Sequence, residues 1–569
     1  MTENRTVRRG TRALVALAGL ALGASLGGCS NPLAPLESDY GRVVDRERLR
    51  SVRTLELGEG TPVPRETRRP TLEEVENRYA DLERLEVGLE EARASALENN
   101  LGLKVARVDP AIANARVSEE EAAFEAVFFG SARYADTDTP TSSTLNSAKQ
   151  DFRSLEAGVR IPLRTGGTAQ VSLPITRNQT NNSFATLNPA WTADLEFSYS
   201  QPLLRNAGRF ATTQGIRIAS YDRQITEAQT TLAIIAELSS VDRAYWNLYR
   251  ARRALDVRQS QYEVALAQVE RAERLVRAGR AVEVEILRAE SGLADRLEAI
   301  IVAENDLLNR QRELKRRMNL PGLDVATATR VDPATPPDPL RYELDPAELS
   351  ELAERSRMEM LELELRLLAD AANIRLRENQ TQPELTLDVL YRINGLGRDL
   401  GRASEVLAEN DFEDLSIGLT GEIPIGNEAA RSRLRQATLT RMQRLADREA
   451  RRQTIREEVY DAVDAIDSAW QRILAARQSV VVNVRAFDAE QRQFENGRST
   501  STDVLDAASR LADAQLAEIN AIVDYQLAQI DLAQATGTLL GAARVSWEPA
   551  GLEDAPADVA GDAMDAGDE

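Results

Sequence analysis

The chain contains no histidine and a single cysteine in 569 residues, and aromatic residues make up only 5% of it. Without histidine there is no Ser-His-Asp or Cys-His nucleophile system, no imidazole metal site and no usual general base near neutral pH. Carboxylate-pair and lysine chemistries pass that test, but no motif points to them. The expectation is therefore a protein that is not an enzyme, with no cofactor, no catalytic residues and no metal site. Beyond the N-terminal leader no run of about 18 apolar residues occurs, which leaves no helical membrane span. If such a chain crosses a membrane, it does so as a β-barrel. The net charge of −21 argues against nucleic acid as a partner, since phosphate binding needs clustered positive charge.

What the chain has in quantity is charge, 28% of all residues, together with Ala, Leu, Glu and Arg, a composition that leans toward long helices and coiled coils. It also repeats itself. A proline-free stretch from Pro202 to Pro321 is matched by a second from Pro424 to Pro549 at an offset of 218 residues. Val241, Ala244, Gly279, Glu285, Ile286, Leu287 and Ala289 align with Val459, Ala462, Gly497, Asp503, Val504, Leu505 and Ala507. A repeat this long is a duplicated half of one architecture rather than a solenoid unit.

The lone cysteine closes a leader. Arg5, Arg8, Arg9 and Arg12 precede an apolar stretch from Ala13 to Leu26, followed by Gly27-Gly28-Cys29-Ser30. An apolar run this short with basic flanks reads as a signal peptide over 1–28. The small residues before Cys29 resemble a bacterial lipoprotein processing box, which implies that Cys29 becomes the lipidated, palmitate-bearing first residue of the mature protein. Ser30 after it resembles the pattern of lipoproteins sent to the outer membrane. The remaining divisions are a lipid-anchored tether over 29–70, a first repeat over 71–322, a linker over 323–345, a second repeat over 346–545 and an acidic, disordered tail over 546–569.

Within the first repeat, residues 71–118 carry a helical pattern, with Leu72, Val75, Tyr79, Leu82 and Leu85 on one face. The period then changes. Segments near 124–136, 152–163, 168–177 and 191–202 are short, rich in Val, Phe, Tyr, Leu and Thr, and separated by turn-formers such as Thr165-Gly166-Gly167 and Asn178 to Asn182. Ala193 to Tyr199 alternates apolar and polar, as a strand between lipid or core and water requires. From about 209 to 278 the helical period returns on Ile234, Leu238, Val241, Tyr245 and Leu248, stepping by four and three as a coiled-coil seam does. Ala278-Gly279 ends that rod, and a return helix runs from about 282 to 319. The second half predicts the same order: helix over 347–378, strands from 383 and over 412–425, a rod over 428–496 and a return helix beyond Gly497. The shorter helices of each half sum to about the length of the rod, so they are expected to stack end to end beside it.

At this point the chain resembles the TolC-like outer-membrane efflux protein family. Gln201-Pro202-Leu203-Leu204-Arg205 and Ile423-Pro424-Ile425 resemble its strand-to-helix junctions, and Val241 to Leu248 its rod motif. Phe494-Glu495-Asn496-Gly497 followed by Thr502 to Ala507 resembles its periplasmic tip turn, and Gly537 to Gly541 the end of its last helix. The resemblance implies a mainly α fold with membrane β: a long α-helical coiled-coil barrel joined to β-barrel strands, internally duplicated and assembled as a trimer. It implies a passive duct across periplasm and outer membrane, a homotrimer lodged in outer-membrane lipid. It also implies a periplasmic adaptor (membrane fusion) protein and an inner-membrane transporter of RND or ABC type as partners, in tripartite efflux or type I secretion. It further implies a periplasmic gate at the tips, with Asp503 and Asp506 forming acidic rings by symmetry and Arg498 pairing with Glu285 to tie the closed state. Phe494 stands where the family has a tip tyrosine, so that hydrogen bond is missing here. Read without the family, these four are first-turn helix charges, Gly279 and Gly497 are turn residues or the exposed points where an adaptor docks, and Tyr245 and Trp246 are packing. The family's usual two strands per half give twelve per trimer, whereas this sequence holds four candidates in the first half and two in the second. The alternative to a duct is a lipid-anchored coiled-coil structural protein of the cell envelope without a pore.

Overall fold

A computed structural model describes residues 83–142, 146–496 and 498–544. The leader, Cys29 and the tether, Gly497 and the acidic tail therefore lie outside the described residues. Two rods dominate. In the first half α1 (Leu89–Asn99), α2 (Leu101–Ala122), the short α3 (Gly208–Thr212), α4 (Gln214–Arg277) and α5 (Val284–Met318) surround a block of strands. In the second, α6 (Pro346–Ser356), α7 (Met358–Asn379), α8 (Leu400–Glu409), α9 (Glu428–Glu495), α10 (Ser501–Ala535) and α11 (Leu539–Ala542) repeat the plan. The 64 residues of α4 and 68 of α9, at ~1.5 Å per residue, make rods of about 100 Å. Each rod packs along one part of its length against its return helix, α5 or α10, and along the rest against the shorter helices before it. Stacking end to end is thus what the structure adopts.

Seam residues are buried where the repeat places them. Val241, Ala244, Tyr245 and Leu248 lie inside on α4, and their equivalents at +218, Val459, Ala462, Val463 and Ile466, lie inside on α9. Tyr245 packs edge-on to Trp246 with ring centres 5.5 Å apart, and its hydroxyl donates to Val87 O at 3.2 Å and accepts from Thr335 N at 2.8 Å. Asp242 is fully buried and receives two 2.7 Å bonds from the Arg93 guanidinium. Burial pushes the Asp242 carboxyl up from its ordinary value, and Arg93 only partly offsets that.

The strands are β1 (Arg84–Val87), β2 (Val127–Asp138), β3 (Lys149–Pro162), β4 (Thr168–Thr180), β5 (Ala190–Ala193), β6 (Leu195–Pro202), β7 (Arg330–Pro333), β8 (Glu384–Ile393), β9 (Leu396–Gly397) and β10 (Glu413–Glu422). All six strand segments expected from the sequence form. Six of these strands make one antiparallel path in the order β10-β8-β6-β4-β3-β2, with β5 and β9 paired beside it. The halves meet at the strand-to-helix junctions, where Leu203 N bonds Leu385 O at 2.7 Å and Arg205 N bonds Pro383 O at 3.2 Å.

Two expectations change. Leu85 is not on a helix: it sits in β1, which pairs in parallel with β7 inside the proline-rich joint between the halves. The reason is tertiary, since pairing buries Val87 and Val331 completely and satisfies a backbone that propensity alone leaves open. The helical stretch also breaks at Asn100, whose side chain caps α2 by accepting from Gly102 N at 2.8 Å. The segment between the two second-half strands, for which the sequence pattern offered no element, contains α8, capped by Asp399, which accepts from Arg402 N at 2.9 Å.

Candidate functional site

Two features carry chemistry: the faces of the sheet and the two hairpin tips. Paired residues of an antiparallel ladder share a face, so the register sorts every side chain. On one face stand Phe128, Leu155, Val159, Val171, Leu173, Phe197, Tyr199, Val389, Tyr391, Leu415, Ile417 and Leu419. On the other stand Ser131, Glu156, Arg160, Gln170, Ser172, Glu196, Ser200, Asp388, Arg392, Ser416 and Thr420. The polar face bonds within itself: Arg392 with Glu196 at 2.8 Å, Ser200 with Asp388 at 2.7 Å and Arg160 with Gln170 at 3.2 Å. The apolar face is bare, with Leu415, Ile417 and Leu419 each about two-thirds exposed. Residues Leu385 to Ile393, at ~3.4 Å per residue, carry that band about 27 Å along β8. One polar-face exception is instructive. Gly158 lies opposite Phe129, and a Cβ there would come within 2.5 Å of the Val171 carbonyl oxygen on β4 and 2.7 Å of the Phe129 ring, so the glycine makes room for both the neighbouring strand and the aromatic.

At the first tip α4 closes in a Schellman motif. Gly279 adopts φ +69°, Gly279 N bonds Val276 O at 2.9 Å and Arg280 N bonds Leu275 O at 2.9 Å. At the second, Arg498 N bonds Gln493 O at 2.9 Å, the same pair of positions at +218. The helices that follow start differently. Thr500 caps α10 in a reciprocal box: its hydroxyl accepts from Asp503 N at 3.3 Å while the Asp503 carboxylate accepts from Thr500 N at 3.0 Å. The Thr500 hydroxyl also donates to that carboxylate at 2.7 Å and Ser499 at 3.2 Å. The Thr500 bonds hold the Asp503 carboxyl below the ordinary aspartate value. At the first tip Glu283 stands at the cap of α5 in helical conformation with no side-chain cap.

Asp503 is therefore engaged as a helix cap, whereas Asp506, three residues on, is exposed and makes no ion pair among the described residues. Glu285 and Arg498 do not pair within the chain. Glu285 is held by Arg288 at 2.8 Å, one turn along its own helix, and its other oxygen, Oε2, is buried without a partner among the described residues. The tie between tips is a different one, which sequence reasoning missed. Arg271 reaches Glu495 at 3.4 Å and lies over the Phe494 ring at 5.3 Å, and Gln268 donates to Ser501 at 3.1 Å. Phe494 is thus buried as a cation–π partner. A cleft of about 540 Å³ between the tips is lined by Glu285, Arg280, Val282, Phe494, Asn496 and Thr500 among others.

Residues 349–538 match the outer membrane efflux protein family. The chain is similar to outer membrane protein TolC of Vibrio cholerae, 26% identical over 302 residues that span 52% of this chain and 67% of that protein. It is also similar to TolC of Escherichia coli, 24% identical over 309 residues, 52% of this chain and 60% of that one. Among solved structures, the Campylobacter jejuni CmeC outer membrane channel shares the fold with a TM-score of 0.59 at 16% identity, covering 90% of this chain and 98% of that one.

Proposed function

We propose that this chain, a TolC-like outer membrane efflux protein by its fold and its matched second repeat, is a passive export duct of the outer membrane. It is not an enzyme. In this reading three copies assemble so that the sheets form one barrel and the rods one periplasmic tunnel, opened by a periplasmic adaptor and an inner-membrane transporter. The single observation that carries it is the sheet, whose one face is bare and apolar while the other is a bonded polar network, continuous with rods of about 100 Å. An envelope coiled coil without a pore has no use for such a sheet, because an open apolar face and open edges are costly anywhere but in a lipid-facing barrel. Cys29 would supply a lipid anchor.

The gate reading narrows to Asp506. Asp503 already satisfies its carboxylate in the cap, so three copies of exposed Asp506 are the better source of a negative ring at the tunnel mouth, favouring cations. The test is conductance of the purified protein in planar bilayers. Trimers that conduct with cation preference, and lose that preference in Asp506→Ala but not in Asp503→Asn, are expected. A protein that forms no channel sinks the duct, and an unchanged preference in Asp506→Ala sinks the gate.

A further inference from the structure

The six-stranded path makes more than a family-sized share of a barrel. We infer that three copies of the chain close a barrel of 18 strands, six from each, by pairing the β2 edge of one copy with the β10 edge of the next. The inference rests on the duct reading and adds the size and seam of its wall.

The β3–β4 hairpin is what raises the count above the twelve strands implied by the family resemblance. It is part of the wall rather than an appendage. β4 is bonded along both its edges, to β3 and to β6, and β2 touches the rest of the sheet only through β3. Its alternation is in phase with that of the other four strands. Leu155, Val159, Val171 and Leu173 continue the apolar band from Phe128 to Phe197, and Glu156, Arg160, Gln170 and Ser172 continue the polar face to Glu196. The band ends at Leu155 and Ile175, beyond which the ion-paired Asp151, Arg153 and Arg177 stand on the same face at the end of the hairpin away from the helices. A hairpin standing clear of the bilayer has no reason to keep that phase; one in the wall must keep it along every strand.

The edges then decide the partner. β2 and β10 each leave one side of their backbone unpaired, and in lipid such a row must be satisfied. Six strands are fewer than the eight of the smallest membrane barrels, so one chain does not close on itself. β2 leads away from α2, and β10 leads back into α9, so the two edges run in opposite senses. A second copy of the same chain therefore offers an antiparallel match, with an apolar face already in register of side. Because diameter grows roughly linearly with strand number, an 18-stranded wall is about 1.5 times as wide as a twelve-stranded one and leaves an aqueous channel.

A reconstruction by electron cryo-microscopy of the full-length protein in lipid nanodiscs tests this directly. Eighteen strands in one continuous ring are expected. A ring of twelve with residues 149–180 outside the wall overturns the inference and leaves the duct intact; particles with no closed ring overturn the duct as well. An independent readout uses a fluorescent thiol label at Leu155→Cys, Leu173→Cys and Ile417→Cys in a Cys29→Ser background. Quenching by brominated lipid at 155 and 173 should equal that at 417, and a label at Glu156→Cys should respond only to aqueous quencher. Aqueous quenching at 155 and 173 would place the hairpin outside the bilayer.

Discussion

The two hairpins share their breaks and differ in their restarts. Leu275 O to Arg280 N and Gln493 O to Arg498 N are the same bond 218 residues apart, yet Thr500 caps the second return helix while Val282, its counterpart, does not cap the first. In place of a polar cap, the first tip exposes Val282, Val284 and Leu287. Higher up, the relation reverses. The first rod is anchored by Asp242–Arg93 and by the Tyr245 hydroxyl, whereas the second has exposed Tyr460 and buried Val463 at those positions. The duplication thus preserves packing and divides polar work: anchoring at the top of copy one, capping at the tip of copy two.

That contrast can be broken in order of size. Arg93→Ala leaves Asp242 as an uncompensated buried charge and should cost roughly 3–5 kcal/mol. Hydrogen exchange should report it as opening of α1 and the middle of α4, with α9 unaffected; equal loss in both rods would refute the asymmetry. Tyr245→Phe strands Thr335 N–H and should cost about 1–3 kcal/mol, read as faster exchange at β1 and β7. Thr500→Ala removes the cap and should cost about 1 kcal/mol, confined to exchange over 499–506. The converse, Val282→Thr, places a cap three residues before Glu285 and should stabilise the first tip by up to about 1 kcal/mol; unchanged exchange at 282–288 would show that the tips differ for another reason. The smallest effect is with pH. Asp503 is held below its ordinary value in the folded tip, so its share of stability is full above that value and is lost as pH falls through the lowered one. By NMR of labelled aspartate carboxyls, the midpoint should rise toward ordinary in Thr500→Ala.

Much of this was legible before any coordinates. Rods and strands announce themselves because Ile234 to Leu248 step by three and four, and Ala193 to Tyr199 by two, periods that backbone geometry imposes. The end of the first rod was legible for the same kind of reason, Gly279 needing a positive φ to end a helix. The β1–β7 pair was not: four residues each, joined across 246 positions, carry too little local signal and form only because the other strand is there. Nor was the partner of Glu285, since Arg288 and Arg498 offer the same charge and distance alone selects between them.

By itself, then, the sequence determined the two-fold plan, the lengths of the rods, the two faces of each strand and the exclusion of histidine chemistry, because all of these follow from composition and periodicity along one chain. Only the tertiary structure decided which strands are neighbours, that the hairpin of Leu155 and Leu173 lies within the sheet, and that Asp503 is engaged by its cap while Asp506 is exposed. Those are matters of which groups meet across long separations, and a backbone donor or a carboxylate selects its partner by proximity in space rather than along the chain.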